Sequence, residues 1–362
     1  MRYLFFTNTP AHVHLYKHAV RRLQADGHEV LILGRDYGVT VSLLEYYDLP
    51  YLVYGSCGPT KGSLLRNLPR HFARILRLAR EFSPNLVFGM GSYAAFAGAV
   101  SRAPVVLILD SEPTSLDHRF SRRFATTILT PHAFRKDLGQ KHFHFTGFKE
   151  TAYLHPDVFV PNPGIRDLLG LDTDERFAIV RFNAFGSHHD VGHAGFSPAQ
   201  RRELLTALAE YVTVFVSDES ESLAFDDLPA RRFDLHPGLM HDALAAADLL
   251  VADTQTMVTE AALLGTPAIR SNSWVGADDM GNFTDLAVHG LIYNVREFDT
   301  VLTLARDLVA TPDAKAEWAE KRDAYIADKV NLTDLIVEVA AHMGAVEGIA
   351  QVERGAGVRP AP

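Results

Sequence analysis

Residues 253–267, DTQTMVTEAALLGTP, place small polar side chains between an apolar run and a helical pattern. The apolar run at 249–251 predicts a strand, and Gly265 followed by Pro267 predicts a helix end. Backbone N–H groups at such a strand-to-helix turn lack partners within the helix, and the helix dipole favours an anion there. The segment therefore predicts a phosphate site, with Glu260 placed to accept both hydroxyls of a ribose.

A second group of candidates follows the first strand-like run, in the segment TNTPAHVHLYKH. Thr9 suits the helix N-cap and Pro10 the first helical position, so His12 lies in the first turn. Its imidazole could act as a general base near neutral pH, although a capping or packing histidine explains the pattern as well. The loop has no glycine, which disfavours a dinucleotide-binding enzyme.

Two carboxylates, Asp110 and Glu112, follow another strand-like run in LDSEPTSLDHRFSRR. At a strand end they could act as an acid, as a base or as ligands of hydroxyl groups. A helix cap with nearby salt bridges is the alternative interpretation.

Histidines also cluster in RFNAFGSHHDVGHAG, where His188 and His189 are the candidates. We expect this segment to be a loop that contacts substrate. Ligation of a metal is the alternative, but nothing in the sequence ties these residues to the distant His12, and no metal is predicted.

The elements that must position these residues are those of a doubly wound α/β protein. Strand-like runs alternate with helical patterns over residues 3–109, and a second series begins near residue 177, after three prolines in HPDVFVPNPGIRDLLG. Two such domains would face each other across a central cleft that holds the site. The predicted parts are an N-terminal Rossmann-like domain at 1–160, a C-terminal Rossmann-like domain at 161–330, a helix at 331–349 that returns to the first domain, and a frayed tail at 350–362.

Composition and charge restrict the class of partner and the cellular compartment that we expect. Forty-four acidic against 35 basic residues give a formal charge of −9, which argues against a nucleic-acid partner. The single cysteine excludes an internal disulfide, and we see neither a signal peptide nor an apolar run of about 18 residues. We therefore expect a cytoplasmic protein.

The segment KGSLLRNLPRHFARILRLAREF is amphipathic. Its basic stripe would suit a peripheral contact with the inner face of the membrane or a lipid-linked acceptor, and a solvated helix face is the alternative. The stripe consists of Arg66, Arg70, Arg74 and Arg77.

The line HPGLMHDALAAADLLVADTQTMVTEAALLGTPAIRSNS resembles the C-terminal domain of GT-B-fold nucleotide-sugar enzymes. It is most similar to the UDP-N-acetylglucosamine 2-epimerases and an uncharacterised family related to them. In the epimerases the matching segment reads D-S-G-G-x-Q-E-E-A, in which backbone amides hold the diphosphate and a glutamate holds the ribose. The resemblance implies a GT-B-like fold in which the domain at 161–330 binds the nucleotide sugar and the domain at 1–160 is the acceptor and catalytic domain. It also implies a ribose contact for Glu260, and a diphosphate site lined by Asp253, Thr254, Gln255 and Thr256.

The resemblance also implies catalytic roles. SHHDVG is similar to the epimerase segment with a histidine, and LDSEPTSLD to the acidic segment, which points to His188 or His189 and to Glu112. However, Ser92 stands where the epimerases carry a catalytic aspartate, and their P-E-E-x-N-R motif is absent. Epimerisation by elimination and re-addition needs several acid/base groups, whereas glycosyl transfer needs one base and a positive site for the departing diphosphate.

We therefore predict a glycosyltransferase that uses a nucleotide sugar, in particular a UDP-sugar, in glycan or glycolipid synthesis. His12 or Glu112 would be the base, Asp110 would orient, and Arg181 or Arg270 would stabilise the diphosphate together with the turn at 254–256. The nucleotide sugar is a co-substrate, and no separate cofactor is expected.

Three alternatives stay open. The first is a UDP-N-acetylglucosamine 2-epimerase-like isomerase or hydrolase. The second is a non-catalytic nucleotide-sugar-binding protein. A metal-dependent hydrolase comes last.

Overall fold

The computed structural model describes residues 1–56, 61–112, 115–183, 194–219, 223–276 and 279–354. For helical residues 61–66 and 115–116 it describes the backbone and not the side chains. The chain divides into two compact units. The N-terminal unit comprises Met1–Val158 and Lys329–Pro362, and the C-terminal unit comprises Phe159–Asp328.

The N-terminal unit contains a parallel sheet of continuous apolar strands. Its strands within residues 1–158 are β1 (Arg2–Thr7), β2 (Glu29–Asp36), β3 (Tyr51–Ser56), β4 (Leu86–Gly89), β5 (Val105–Ile108), β6 (Thr127–Pro131) and β7 (His142–Phe145). The helices between and after them are α1 (Pro10–Ala25), α2 (Thr40–Tyr46), α3 (Lys61–Phe82), α4 (Ser92–Ser101), α5 (Ser115–Ser121) and α6 (Thr151–Leu154). Strands such as VVLI in β5 are buried throughout, as expected when helices cover both faces of a parallel sheet.

The strand order β7-β6-β5-β4-β1-β2-β3 reverses direction between β1 and β4. Loops that leave the carboxyl ends of neighbouring strands in opposite directions open a crevice there, where doubly wound proteins bind ligands. The segments that follow β1, β4 and β5 therefore meet at one edge of this sheet.

The C-terminal unit repeats the architecture with a six-stranded parallel sheet. Its strands are β8 (Phe177–Phe182), β9 (Thr213–Asp218), β10 (Arg231–Arg232), β11 (Leu249–Ala252), β12 (Ala268–Arg270) and β13 (Ile292–Asn294). Its helices are α7 (Ile165–Leu168), α8 (Pro198–Ala209), α9 (Met240–Ala246), α10 (Thr256–Leu263), α11 (Gly281–Val288), α12 (Phe298–Ala310) and α13 (Ala314–Ile326). The order β10-β9-β8-β11-β12-β13 has its switch point between β8 and β11.

The chain returns to the N-terminal unit through α14 (Leu332–Ala341) and β14 (Val352–Arg354). α14 packs on α1 and α6, and β14 pairs with β7 in the antiparallel direction. Hydrogen bonds join α14 to residues 1–158: the Tyr3 hydroxyl donates to the Ala340 carbonyl at 3.3 Å, and the Thr333 hydroxyl to the Ala152 carbonyl at 2.7 Å. The Arg22 guanidinium also donates to the Asp334 carboxylate.

The amphipathic helix α3 presents the two predicted faces over the part whose side chains are described. Ile75 and Ala79 are fully buried, and Arg70, Arg74 and Arg77 are exposed. The side chain of Arg66 lies outside the described set. No helix in the described part of the chain is long and apolar enough to cross a membrane.

Candidate functional site

The switch point of the N-terminal sheet brings Asn8 and His12 together. His12 lies in the first turn of α1, and its Nδ1 accepts a hydrogen bond from the backbone N–H of Asn8 at 3.2 Å. Burial lowers the pKa of His12 to about 3; Asp110 acts in the opposite direction, and Lys149 lowers the pKa further. The imidazole is therefore neutral near physiological pH.

A buried group of charges lies close to His12. The Lys149 ammonium contacts Asp110 Oδ2 and lies 2.7 Å from Glu150 Oε1, and the Lys149 and Glu150 side chains are 9% and 3% exposed. Burial raises the pKa of Asp110, but the Lys149 ammonium outweighs it and holds this pKa below its ordinary value. Asp110 is therefore an ionised partner of Lys149, which suits the predicted orienting role better than proton transfer.

Glu112 lies half-buried just beyond Asp110. Its Oε1 accepts a long hydrogen bond of 3.4 Å from the backbone N–H of Arg135, and its carbonyl accepts one of 2.6 Å from the Lys136 ammonium. Its carboxylate thus remains at the same sheet edge as His12, because both follow strands that end there.

The start of α4 receives a carboxylate from α5. The Ser92 backbone N–H donates to Asp117 Oδ1 at 3.0 Å, and the Ser92 hydroxyl donates to the same oxygen. Gly91 has a φ of 95°, and a Cβ there would lie 2.3 Å from Asp117 Oδ2, so glycine lets the carboxylate approach. The Asp117 carboxylate thus lies beside Ser92 at the start of α4.

In the C-terminal unit, the predicted phosphate turn lies at the switch point. β11 ends at Ala252, and α10 begins at Thr256 with Gln255 as an N-cap residue that makes no side-chain cap hydrogen bond. The Thr254 hydroxyl is buried and has no hydrogen-bond partner, and the residue is 7% exposed. A hydroxyl without a partner beside an uncapped helix start is suited to an anionic ligand oxygen.

Asp253 accepts hydrogen bonds through both of its carboxylate oxygens. Its Oδ1 accepts from the Asn183 backbone N–H at 2.6 Å, and its Oδ2 from that of Phe196 at 3.3 Å. Asn183 and Phe196 flank residues 184–193. Burial raises the pKa of Asp253 to about 6, against the opposing effect of the Asn183 N–H. Both oxygens of Asp253 are thus engaged by backbone N–H groups, and its phosphate-lining role stays a prediction.

Glu260 is buried at 4% exposure, and its Oε1 lies 3.0 Å from His241 Nε2. His241 is also buried, at 3% exposure, on α9. To bind a ribose as predicted, the carboxylate would have to leave this contact or use its second oxygen.

The two predicted diphosphate arginines have different environments. Arg181 is 21% exposed and donates to the Ser217 hydroxyl and the Glu219 carboxylate. Arg270 is fully buried and donates through Nη1 to Asp279 Oδ2 at 2.6 Å. Burial lowers the pKa of Arg270, and Asp279 opposes this effect. We therefore assign Arg270 to folding and retain Arg181 as the candidate cation.

His188 and His189 fall in 184–193 and lie outside the described residues. Across the residues that the structure does describe, no group of three or more His, Cys, Asp or Glu side chains is arranged to hold a metal ion.

Sequence reasoning missed Lys149, Glu150 and the role of Asn8. A signal was available for the first two, because the charged pair in TGFKE follows the buried strand β7 and is thereby brought to the edge occupied by Asp110. Asn8 acts through its backbone, for which the sequence carries no signal.

The chain has the fold of GT-B glycosyltransferases and UDP-N-acetylglucosamine 2-epimerases. The Neisseria meningitidis UDP-N-acetylglucosamine 2-epimerase, solved with UDP-N-acetylglucosamine bound, superposes with a TM-score of 0.65 at 12% identity, over 94% of this chain and 100% of that chain. The spinosyn forosaminyltransferase superposes with a TM-score of 0.66 at 15% identity, over 95% of this chain and 100% of that chain. The predicted GT-B-like α/β fold is confirmed.

The chain belongs to the family described as "Protein of unknown function (DUF354)", which matches residues 3–341. An uncharacterized protein of Methanocaldococcus jannaschii is 24% identical over 275 residues, covering 73% of this chain and 79% of the relative. A UDP-N-acetylglucosamine–N-acetylmuramyl-(pentapeptide) pyrophosphoryl-undecaprenol N-acetylglucosamine transferase of Burkholderia mallei is 31% identical over 131 residues, about a third of each chain (33% and 36%). The resemblance to nucleotide-sugar enzymes is thereby confirmed.

Proposed function

We propose that the protein is a glycosyltransferase that transfers a sugar from a UDP-sugar to an acceptor hydroxyl. The observation that carries the proposal is the Thr254 hydroxyl, buried without a partner beside the uncapped start of α10. This hydroxyl lies at the switch point of the sheet, where doubly wound proteins bind nucleotides. Relatives with this fold include enzymes that bind UDP-N-acetylglucosamine or transfer sugars.

In this proposal the C-terminal unit binds the nucleotide. The Thr254 hydroxyl and the first backbone N–H groups of α10 donate to the diphosphate, and the Gln255 and Thr256 side chains flank it. Arg181 supplies the positive charge that stabilises the leaving diphosphate. Asp253 contributes indirectly, through the hydrogen bonds that it accepts from the backbone N–H groups of Asn183 and Phe196.

The N-terminal unit would present the acceptor. His12 or Glu112 takes the acceptor proton, and Asp110, held by Lys149, orients the acceptor. The exposed arginines of α3 suit the anionic head group of a lipid-linked acceptor at the inner face of the membrane.

A second candidate is acceptor-independent epimerisation or hydrolysis of the same donor. It is favoured by the Asp117 carboxylate, which lies at Ser92 where the epimerases carry an aspartate. The two candidates differ in whether chemistry occurs without an acceptor.

A proton NMR time course of UDP-N-acetylglucosamine with the purified full-length protein distinguishes them. Without acceptor, we expect the sugar signals to broaden through binding and to remain unconverted. A new anomeric signal would overturn the transferase in favour of the epimerase or hydrolase. Signals that stay sharp with the protein in excess would contradict binding of this donor.

Replacing Thr254 with valine is expected to weaken UDP binding about tenfold to a hundredfold, because a hydrogen bond to a charged oxygen is worth roughly 1.5–3 kcal/mol. Isothermal titration with UDP measures the effect. The variant should fold as well as the parent protein, since the lost hydroxyl has no partner in the fold.

Thr259→Val is the matched control. Thr259 lies further along the same helix, is 1% exposed, and also has a buried hydroxyl without a partner. The affinity of the Thr259→Val variant for UDP should stay unchanged. Equal affinity losses in both variants would argue against a specific contact at Thr254.

A further inference from the structure

The ring of His12 accepts a hydrogen bond from a group that can only donate. The backbone N–H of Asn8 lies 3.2 Å from Nδ1, and an amide N–H can only donate. Nδ1 must therefore carry a lone pair, so the proton of the neutral imidazole is on Nε2. Turning the ring over would place a carbon against the amide and leave that N–H without its acceptor.

Asn8 is itself fixed by two neighbours. Its carbonyl accepts a hydrogen bond of 3.0 Å from Arg35 Nε, and its Oδ1 accepts one of 2.9 Å from the Tyr54 hydroxyl. The residue is 8% exposed. Because these two contacts fix the position of Asn8, the fold determines which tautomer His12 adopts.

The groups around His12 also keep the ring neutral. Burial is the main cause that lowers the pKa of His12, Lys149 and Arg35 act in the same direction, and Asp110 opposes them. Tyr16, one turn further along α1, adds a buried hydroxyl without a hydrogen-bond partner. A ligand oxygen at this edge would thus meet the neutral His12 ring beside the paired charges of Asp110 and Lys149.

We propose that His12 donates a hydrogen bond through Nε2–H to an oxygen of the substrate and is not the base of the reaction. The proposal rests on the transferase function and narrows it. To accept a proton at Nε2, the neutral ring would need its proton on Nδ1, directly against the Asn8 N–H. Donation requires no change of tautomer, and it strengthens where negative charge develops on the oxygen.

The base is then Glu112. Its carboxylate takes the proton of the acceptor hydroxyl as that oxygen bonds to the anomeric carbon. The bond from this carbon to the diphosphate oxygen breaks, and the nucleoside diphosphate leaves with the electron pair. His12 loses no proton in this step.

The tautomer can be measured directly by 15N NMR of the full-length protein labelled in its histidine rings. Among the 17 histidines, the His12 signals are those that disappear in His12→Gln. We expect an unprotonated Nδ1 and a protonated Nε2, both unchanged between about pH 8 and pH 5. A protonated Nδ1, or titration in that range, would overturn the assignment.

Two substitutions test the donor in catalysis. His12→Gln places an amide N–H near the position of Nε2, whereas His12→Asn reaches only the position of Nδ1. We expect turnover of the UDP-sugar within about tenfold of the parent for His12→Gln and about 10²–10³-fold lower for His12→Asn. Equal losses in the two variants, with unchanged thermal unfolding, would contradict donation through Nε2.

His18→Gln makes the same change on the same helix and should leave turnover unchanged. If the parent protein turns over no UDP-sugar with any acceptor, the transferase function fails. The ring NMR would still decide the tautomer of His12, so the two failures are distinguishable.

Discussion

Replacing Lys149 with methionine is expected to lower the free energy of unfolding by about 3–5 kcal/mol, because it leaves two buried carboxylates without their cation. Lys149 contacts Asp110 and Glu150, and the three side chains are 9%, 18% and 3% exposed. Burial alone would lower the pKa of Lys149, but the two carboxylates raise it above its ordinary value. Methionine retains much of the apolar stem and removes the charge. Urea unfolding followed by circular dichroism measures the loss.

The combined variant Lys149→Met, Asp110→Asn and Glu150→Gln tests the cause of this loss. Removing the carboxylate charges together with the ammonium should recover a large part of the stability, as is found when whole buried ion pairs are replaced. Lys141→Met, at an exposed lysine of the same unit, should change the free energy of unfolding by less than about 1.5 kcal/mol. A loss for Lys149→Met no larger than for Lys141→Met would show that the buried charges are compensated in another way.

Replacing Arg270 with methionine should destabilise the C-terminal unit by a similar amount, about 3–5 kcal/mol. The guanidinium is 0% exposed, donates to Asp279 at 2.6 Å and to Asn294 Oδ1 at 2.9 Å, and lies 3.8 Å from the centre of the Phe283 ring. Loss of the cation leaves Asp279 buried and charged. Arg270→Lys should recover little, because an ammonium cannot reproduce the planar stacking on Phe283.

The unfolding midpoint of Arg270→Met in urea, measured alongside its affinity for UDP, separates folding from binding. We expect a lower midpoint, and Asp279→Asn in the Arg270→Met background should partly restore it. A variant that keeps the parental midpoint and loses UDP affinity would instead return Arg270 to the diphosphate site.

Sequence patterns predicted the sheets well because their strands are continuous apolar runs. VVLI in β5 and LLVA in β11 are buried throughout, and the polar residues that follow such strands must lie at their carboxyl ends. Asp110 and Asp253 were therefore placed at the correct sheet edges.

The partners of those residues depend on tertiary structure. Asp110 and Lys149 are 39 residues apart, and they meet only because β5 and β7 flank β6. Arg270 at the end of a short strand has the sequence signature of a ligand-binding cation. Its burial follows from Asp279 and from Asn294 on the next strand, and no local pattern reports either contact.

The return of α14 and β14 to the N-terminal unit has a consequence for biosynthesis. Residues 159–328 form the C-terminal unit without interruption, so this part needs none of residues 329–362 to complete its fold. The N-terminal sheet emerges first, yet its α1 surface stays uncovered until residues 332–341 have left the exit tunnel. Nascent chains stalled before residue 332 should therefore expose apolar surface of the N-terminal unit to chaperones, although its seven parallel strands have already been synthesised.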